Sequence, residues 1–192
     1  MRNDPSEILD FLKDKAKELS VLDIASEVLN NRKFFMWAAS TDNKHHYYVN
    51  GLLQHTYEVY SLCLSTMTTL PDLHFSTQKD VLFLGCLFHD IGKIYDYYPA
   101  ADFSEWYGTN HKREIHHISR SAIIWAQAVV KYPKYESISD KVLHVILSHH
   151  GQREWGSPVM PHTKEAWLVH LCDSISARMD DCDKVDYLKV KK

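Results

Sequence analysis

The stretch LGCLFHDIGKIYDYY, residues 84–98, decides how the chain is read. Leu84, Leu87, Phe88 and Cys86 give an apolar run that leads straight into His89-Asp90, and Lys93 follows three residues later. A buried-looking helix that ends by placing an imidazole beside a carboxylate has two explanations. The pair is a local hydrogen-bonded cap, or it is half of a metal site.

Outward from this stretch the pattern is helical. DPSEILDFLKDKAKELS opens with Asp4 as N-cap, Pro5 at the first helical position and Glu7 closing a capping box. Ile8, Leu9, Leu12, Ala16 and Leu19 then share a face. Further helices are expected over about 22–39, 50–69, 76–92 from a Ser76 cap, 113–131, 137–151 from a Ser137/Asp140 capping pair, and 163–180 from a Thr163 cap. Gly151 reads as the residue that stops the sixth of these helices. Residues 94–112 read as a long aromatic loop, and no clean strand pattern appears. The expected fold class is all-α.

A chain of 192 residues, 45% of them hydrophobic, can bury one good-sized core. A net charge of −3 does not mark a strong nucleic-acid binder, although a local basic groove is compatible with it. Cys63, Cys86, Cys172 and Cys182 form no CxxC pair, and three lie in apolar helical patterns, which suits reduced core residues in a cytoplasmic protein. No apolar run approaches the roughly 20 residues of a membrane span, and the start MRNDPSEILD lacks a signal-peptide core.

The anomalous number is 13 histidines, which cluster as His45-His46, His116-His117 and His149-His150 with His55 and His89 between them. On the expected helices, His55 lies on the third, His89 and Asp90 end the fourth, His117 is on the fifth, His149 and His150 end the sixth, and Asp173 lies in the seventh. Five helices thus each deliver imidazoles or a carboxylate among apolar neighbours. Buried charge and buried imidazole are costly unless paired or metal-bound. Helical bundles build two-metal sites from inward residues on facing helices. Taken singly, His55 would pass for a satisfied core histidine and Asp173 for a helix-internal hydrogen-bond partner. The order His, His-Asp, His, His-His, Asp, one element per helix, is hard to obtain by accident.

That order resembles the HD-domain metal-dependent phosphohydrolase superfamily, with the extra histidines of its two-metal branch. HHYYVNGLLQHT, LFHDIGKI, HHIS and ILSHHGQREWGSPVMPHTKEAWLVHLCDSISARMD resemble in particular the HD domain of the bacterial 3′→5′ exoribonuclease family, over roughly residues 45–180. The resemblance implies an HD helical bundle at 45–180; residues 1–44 read as a helical extension packed on it and 181–192 as a charged tail. That family also carries an N-terminal OB-fold that grips single-stranded RNA, and residues 1–44 read as helices instead. A nucleotide or short oligonucleotide, cleaved with weak salt dependence, is therefore the expected partner, and no membrane.

The resemblance further implies that His55, His89, Asp90 and Asp173 hold one divalent ion, and that Asp90 bridges to a second held by His117, His149 and His150. Which of His149 and His150 ligates more directly stays open. His116 matches no ligand position. A mixed imidazole–carboxylate set suits Mn²⁺, Fe²⁺, Co²⁺ or Ni²⁺, with Mg²⁺ admissible. The chemistry implied is attack of a metal-bridging hydroxide on phosphorus, with Asp90 and Lys93 in the catalytic roles. Lys93 either meets the phosphate or complements a helix dipole. His45 and His46 either line the substrate mouth or are loop histidines, and Arg153 either binds phosphate or is a solvated loop arginine. The rings at 95–107 either stack bases or close the core beneath the loop, and with Lys112 and Arg113 they would wall any substrate groove. The reading is a phosphodiesterase. Its rivals are a nucleotidase-type phosphomonoesterase and a non-catalytic, metal-bound nucleotide-sensing module.

Overall fold

The structure is a computed structural model, and it describes residues 3–41, 44–70 and 76–184, with the side chains of residues 183 and 184 outside the description. The end of the expected charged tail, residues 185–192, lies outside the described residues. Asp4 accepts from the N–H groups of Ser6 and Glu7 (2.7 and 3.4 Å) and starts α1, Pro5–Glu18. The helix expected over about 22–39 is broken. α2 covers Leu22–Leu29, and Asn31 then takes the N–H groups of Lys33 and Phe34 to start α3, Arg32–Met36. An asparagine side chain that satisfies orphan donors favours a new helix start over continuation.

α4, Gly51–Thr69, and α5, Lys79–Phe88, follow. α5 begins three residues after Ser76, with Gln78 at the N-cap and no side-chain cap. Every residue of α5 from Val81 to Phe88 is buried. A helix apolar all round belongs at the centre, and α5 is packed by α2, α4, α8, α9 and α10. α6 is the single turn Lys93–Asp96. The expected loop contains an antiparallel hairpin, β1 Tyr97–Pro99 on β2 Trp106–Gly108, with Tyr98 opposite Tyr107. Then come α7, Asn110–Glu114, α8, His117–Lys131, α9, Glu136–Ser148, and α10, Lys164–Lys184. α9 starts at Glu136 without a side-chain cap, so Ser137 lies inside the helix, whereas Thr163 Oγ1 accepts from Ala166 N–H at the head of α10 as expected. The fold is all-α apart from this hairpin among the described residues.

One core unites the helices: Leu12 of α1, Val28 of α2, Leu53 of α4, Phe83 of α5, Trp125 of α8, Ile146 of α9 and Val169 of α10 all belong to it. The Trp125 ring stands edge-on to Phe88, 5.1 Å between centroids, and its Nε1–H donates to Ser139 O. The hairpin closes a second, smaller cluster of Ala38, Tyr97 and Trp106. So the aromatic stretch divides: Tyr97 and Trp106 are buried, while Tyr95, Tyr98 and Tyr107 stay exposed. Cys63, Cys86 and Cys172 are buried and Cys182 is exposed, all four as free thiols. Among the described residues no helix is long and apolar enough to cross a membrane.

Two glycines set how closely the helices approach. A Cβ on Gly85 would lie 2.6 Å from Val145 Cγ1 of α9, and one on Gly92 would lie 2.2 Å from the carbonyl oxygen of His117. The Gly85 clash is with a side chain and the Gly92 clash is with main chain, which has less room to give. Gly85→Ala should destabilise by about 1–3 kcal/mol, the usual cost of overpacking, softened by alanine's better helix propensity. Gly92→Ala should cost more, and chemical denaturation of the two variants side by side measures the order.

Candidate metal centre

The opening question has a double answer. His89 is the C-cap residue of α5 and His149 the C-cap residue of α9. Each turns its Nδ1 to the carbonyl three residues back, His89 to Cys86 O and His149 to Ile146 O, both at 2.7 Å. Those carbonyls belong to the last helical turn, where intrahelical donors run out. Each imidazole therefore caps its helix. Because a carbonyl only accepts, each Nδ1 carries the proton, and each neutral ring is left with its lone pair on Nε2.

The other three imidazoles are fixed in the same tautomer. His150 Nδ1 donates to Trp155 O at 2.7 Å, and His117 Nδ1 to Asp96 Oδ2 at 3.1 Å. His55 Nδ1 lies 3.0 Å from Ser176 Oγ, whose own proton goes to Glu58 Oε2 at 2.7 Å, so the serine accepts from the histidine. Five Nε2 lone pairs are thereby turned away from their anchors.

They meet around Asp90, which is 2% exposed. Its Oδ2 lies 3.4 Å from both His55 Nε2 and His89 Nε2, and its Oδ1 lies 3.5 Å from His117 Nε2 and 3.6 Å from His149 Nε2. Asp173 Oδ1 adds to the first side, 3.0 Å from His55 Nε2. His150 adds to the second, its Nε2 3.4 Å from that of His117. Two groups result, His55–His89–Asp173 and His117–His149–His150, with ligand atoms within 4.8 Å of one another in each, and one oxygen of Asp90 faces each group. All seven ligand-type residues expected from the sequence come together here.

The donor set fits a cation. Asp90 Oδ1 and His149 Nε2 are buried without a hydrogen-bond partner among the described residues. The Nε2 atoms of His89 and His55 face each other at 3.4 Å. Opposed lone pairs in a dry site are unfavourable until something positive lies between them. Burial keeps His117 neutral, its pKa lowered to about 4 against the pull of Asp96. Burial, with His149 and His117 adding to it, takes His150 down to about 3. Burial alone would lower His55, yet Asp173 and Asp90 raise it to about 9, so a proton is held where a metal ion would be welcome. Burial would raise Asp90, but the Lys93 ammonium and the imidazoles hold it well below the usual carboxylate range. Lys93 Nζ lies 2.6 Å from Asp90 Oδ2 and is itself buried.

A small cavity of about 220 Å³ opens beside both groups, lined by His45, Lys93, His150, Trp155, Asp173 and Arg178 among others. His45 and Lys93 thus share the wall of this cavity. His46 does not: it is 1% exposed, with Nε2 2.9 Å from Glu58 Oε2, beneath His55 rather than at a mouth. Arg153 is exposed on a 3-10 turn, Arg153–Trp155, and is not part of that cavity wall. His116 carries no ligand-type contact. Its ring lies 4.1 Å from that of His117, on a backbone at φ 70°, ψ 146°. That conformation costs a non-glycine residue roughly 1–3 kcal/mol.

Three supporting residues were not visible in the sequence. Asp96, fully buried, accepts from His117 Nδ1 and N–H and lies 2.7 Å from His111 Nδ1. Ser176 and Glu58 anchor His55 from α10 and α4. Asp96 lies six residues after Asp90 in the quoted stretch; its signal was a lone carboxylate amid Tyr95, Tyr97 and Tyr98, where a solvated loop would have more polar company. Ser176 lies three residues after Asp173 on the same helix face.

Over 157 residues the chain is 32% identical to the 3'-5' exoribonuclease YhaM of Geobacillus sp. (strain WCH70), covering 80% of this chain and 45% of that protein. Over 155 residues it is 32% identical to the 3'-5' exoribonuclease YhaM of Bacillus subtilis (strain 168), covering 79% and 46%. The chain spans about half the length of the curated relatives it matches. No solved structure matches it. The family model for the HD domain matches residues 52–178, which include all of His55, His89-Asp90, His117, His149-His150 and Asp173, and the chain belongs to the HD domain family.

Proposed function

We propose that the chain is a metal-dependent phosphodiesterase that hydrolyses a nucleotide or short oligonucleotide with two divalent ions. The observation that carries this reading is Asp90, with one oxygen turned to each of two imidazole groups. His55, His89, Asp173 and Asp90 are the ligands proposed for one ion; His117, His149, His150 and Asp90 for the other. The names of the relatives at 31–32% identity, 3'-5' exoribonucleases, favour a phosphodiester in RNA. The nitrogen-rich donor set favours Mn²⁺, Fe²⁺, Co²⁺ or Ni²⁺. When bound, such a pair supplies Lewis acidity to phosphate oxygens and lowers the pKa of a water.

The residues of the chain do the rest. The five Nδ1 anchors hold the rings so that no reorganisation is needed on binding. Lys93, beside Asp90 and on the cavity wall, places its ammonium for a phosphate oxygen. His45 lies on the same wall and is kept neutral by burial, its pKa lowered to about 2, so it offers hydrogen bonds without adding charge.

Elemental analysis of protein purified with Mn²⁺ should approach two ions per chain. Asp90→Asn keeps the shape and removes the charge; it should abolish hydrolysis of p-nitrophenyl phosphodiesters and reduce bound metal, with an unchanged circular dichroism spectrum. Near-normal turnover in that variant would rule the mechanism out. A phosphomonoester cleaved faster than any diester would favour the nucleotidase, and full metal content without turnover on either would favour the sensing module.

Asp96→Asn separates support from ligation. It leaves every proposed ligand in place but weakens the hold on His117. The loss in metal affinity should be about 10–100-fold, the usual effect of removing a partner behind a ligating histidine. Isothermal titration with Mn²⁺ reads it, and the weakened step should be one of the two.

A further inference from the structure

A second cavity, of about 510 Å³, shares no lining residue with the one lined by Lys93. Its wall includes Trp106 and Tyr107 of the hairpin, Asn110, Lys112 and Arg113 of α7, and His116. In a chain of net charge −3, this wall carries two permanent cations and no carboxylate among its described residues. Lys112 is held in place, its Nζ donating to Thr41 Oγ1 at 3.1 Å and lying over the Tyr97 ring. The Arg113 side chain makes no ion pair or hydrogen bond among the described residues and is exposed. Trp106 Nε1 is buried without a hydrogen-bond partner among the described residues, whereas Trp37 Nε1 and Trp125 Nε1 both have one. Tyr107 is 43% exposed, its hydroxyl donates to Glu105, and its ring lies tilted beside that of Tyr98, 5.4 Å between centroids, so the pair presents aromatic surface to the solvent side.

His116 joins this cavity to the centre. Its ring lines the wall, lies 4.1 Å from the ring of His117 and 6.1 Å from that of His150, and His150 lines the smaller cavity. Through His116 the larger cavity thus comes within one ring contact of His117, and the smaller one is lined by Asp173 and His150. A phosphomonoester has one organic substituent on phosphorus, and a phosphodiester has two.

We infer that the cavity at Trp106, Tyr107, Lys112, Arg113 and His116 is a subsite for the nucleotide adjoining the scissile phosphate of a single-stranded oligonucleotide. This rests on the phosphodiesterase reading and adds to it a place for the second substituent. Tyr107 provides the stacking face for the base. Lys112 and Arg113 meet the next phosphate, Arg113 with a planar fork and Lys112 as a point charge. The strained backbone at His116 keeps an imidazole at the junction, where the chain of the substrate passes from the subsite to the scissile phosphate.

The test uses the full chain with Arg113→Ala and, separately, Tyr107→Ala, both at exposed positions. The substrates are a trinucleotide and methyl p-nitrophenyl phosphate, a diester without a neighbouring nucleotide. The ratio of kcat/KM for the trinucleotide to that for the small diester should fall about 10–100-fold in each variant, chiefly through KM, as expected for loss of a charge-assisted contact or a stacked base. Trinucleotide binding by fluorescence in EDTA, where nothing is cleaved, should weaken in parallel. An unchanged ratio and unchanged binding would overturn the subsite. Binding weakened by both substitutions, with no hydrolysis of either compound by the unsubstituted protein, would keep the subsite and reject the phosphodiesterase.

Discussion

A carboxylate removed from water and ringed by imidazole nitrogens is the constraint around which the molecule is arranged. Asp90 is 2% exposed, with His55, His89, His117 and His149 within 3.6 Å. Taking a carboxylate out of water costs several kcal/mol unless it is compensated. Lys93 supplies part of the compensation, and the rest requires donors or a cation from every side. No single helix can surround one residue, so α4, α5, α8, α9 and α10 each carry ligand-type residues to it from a different direction. The dense apolar core beneath, with α5 buried all round, fixes those directions. Gly92 lets the turn after Asp90 lie directly on the main chain of His117 and binds the two halves of the centre into one frame.

Most of this was legible in the sequence because the ligand-type residues sit where helix patterns are strongest. His55 falls within a long apolar period, and His89 and His149 fall at helix ends marked by following glycines. What escaped was settled by tertiary contact. A three-residue strand such as Tyr97–Pro99 is too short to show alternation, so the hairpin read as loop. The break between α2 and α3 depends on Asn31 turning its side chain to two N–H groups, a choice that an apolar periodicity running through to Ala39 concealed. Ser76 and Ser137 had the right chemistry for caps, but packing began their helices elsewhere.

The supporting groups were harder still. Asp96 earns its place only through the fold, which folds the aromatic segment back so that its carboxylate meets α8. His46 resembled His45 in sequence, and both rings lie beside His55, yet only His46, on a left-handed backbone (φ 50°), places its Nε2 on Glu58. It thereby joins the hydrogen-bond chain that runs from Gln54 through Glu58 and Ser176 to His55.

Three of the five imidazoles are anchored by main-chain carbonyls, those of Cys86, Ile146 and Trp155. A carbonyl is supplied by whichever amino acid occupies the position. Substitution at 86, 146 or 155 by any residue of fitting size therefore leaves the tautomer of the facing histidine intact, whereas Asp96 and Ser176 have no such latitude. Three of the five anchors are thus buffered against substitution and two are exposed to it. At the carbonyl-anchored positions only packing constrains the side chain, and the demand of the chemistry falls on Asp96 and Ser176.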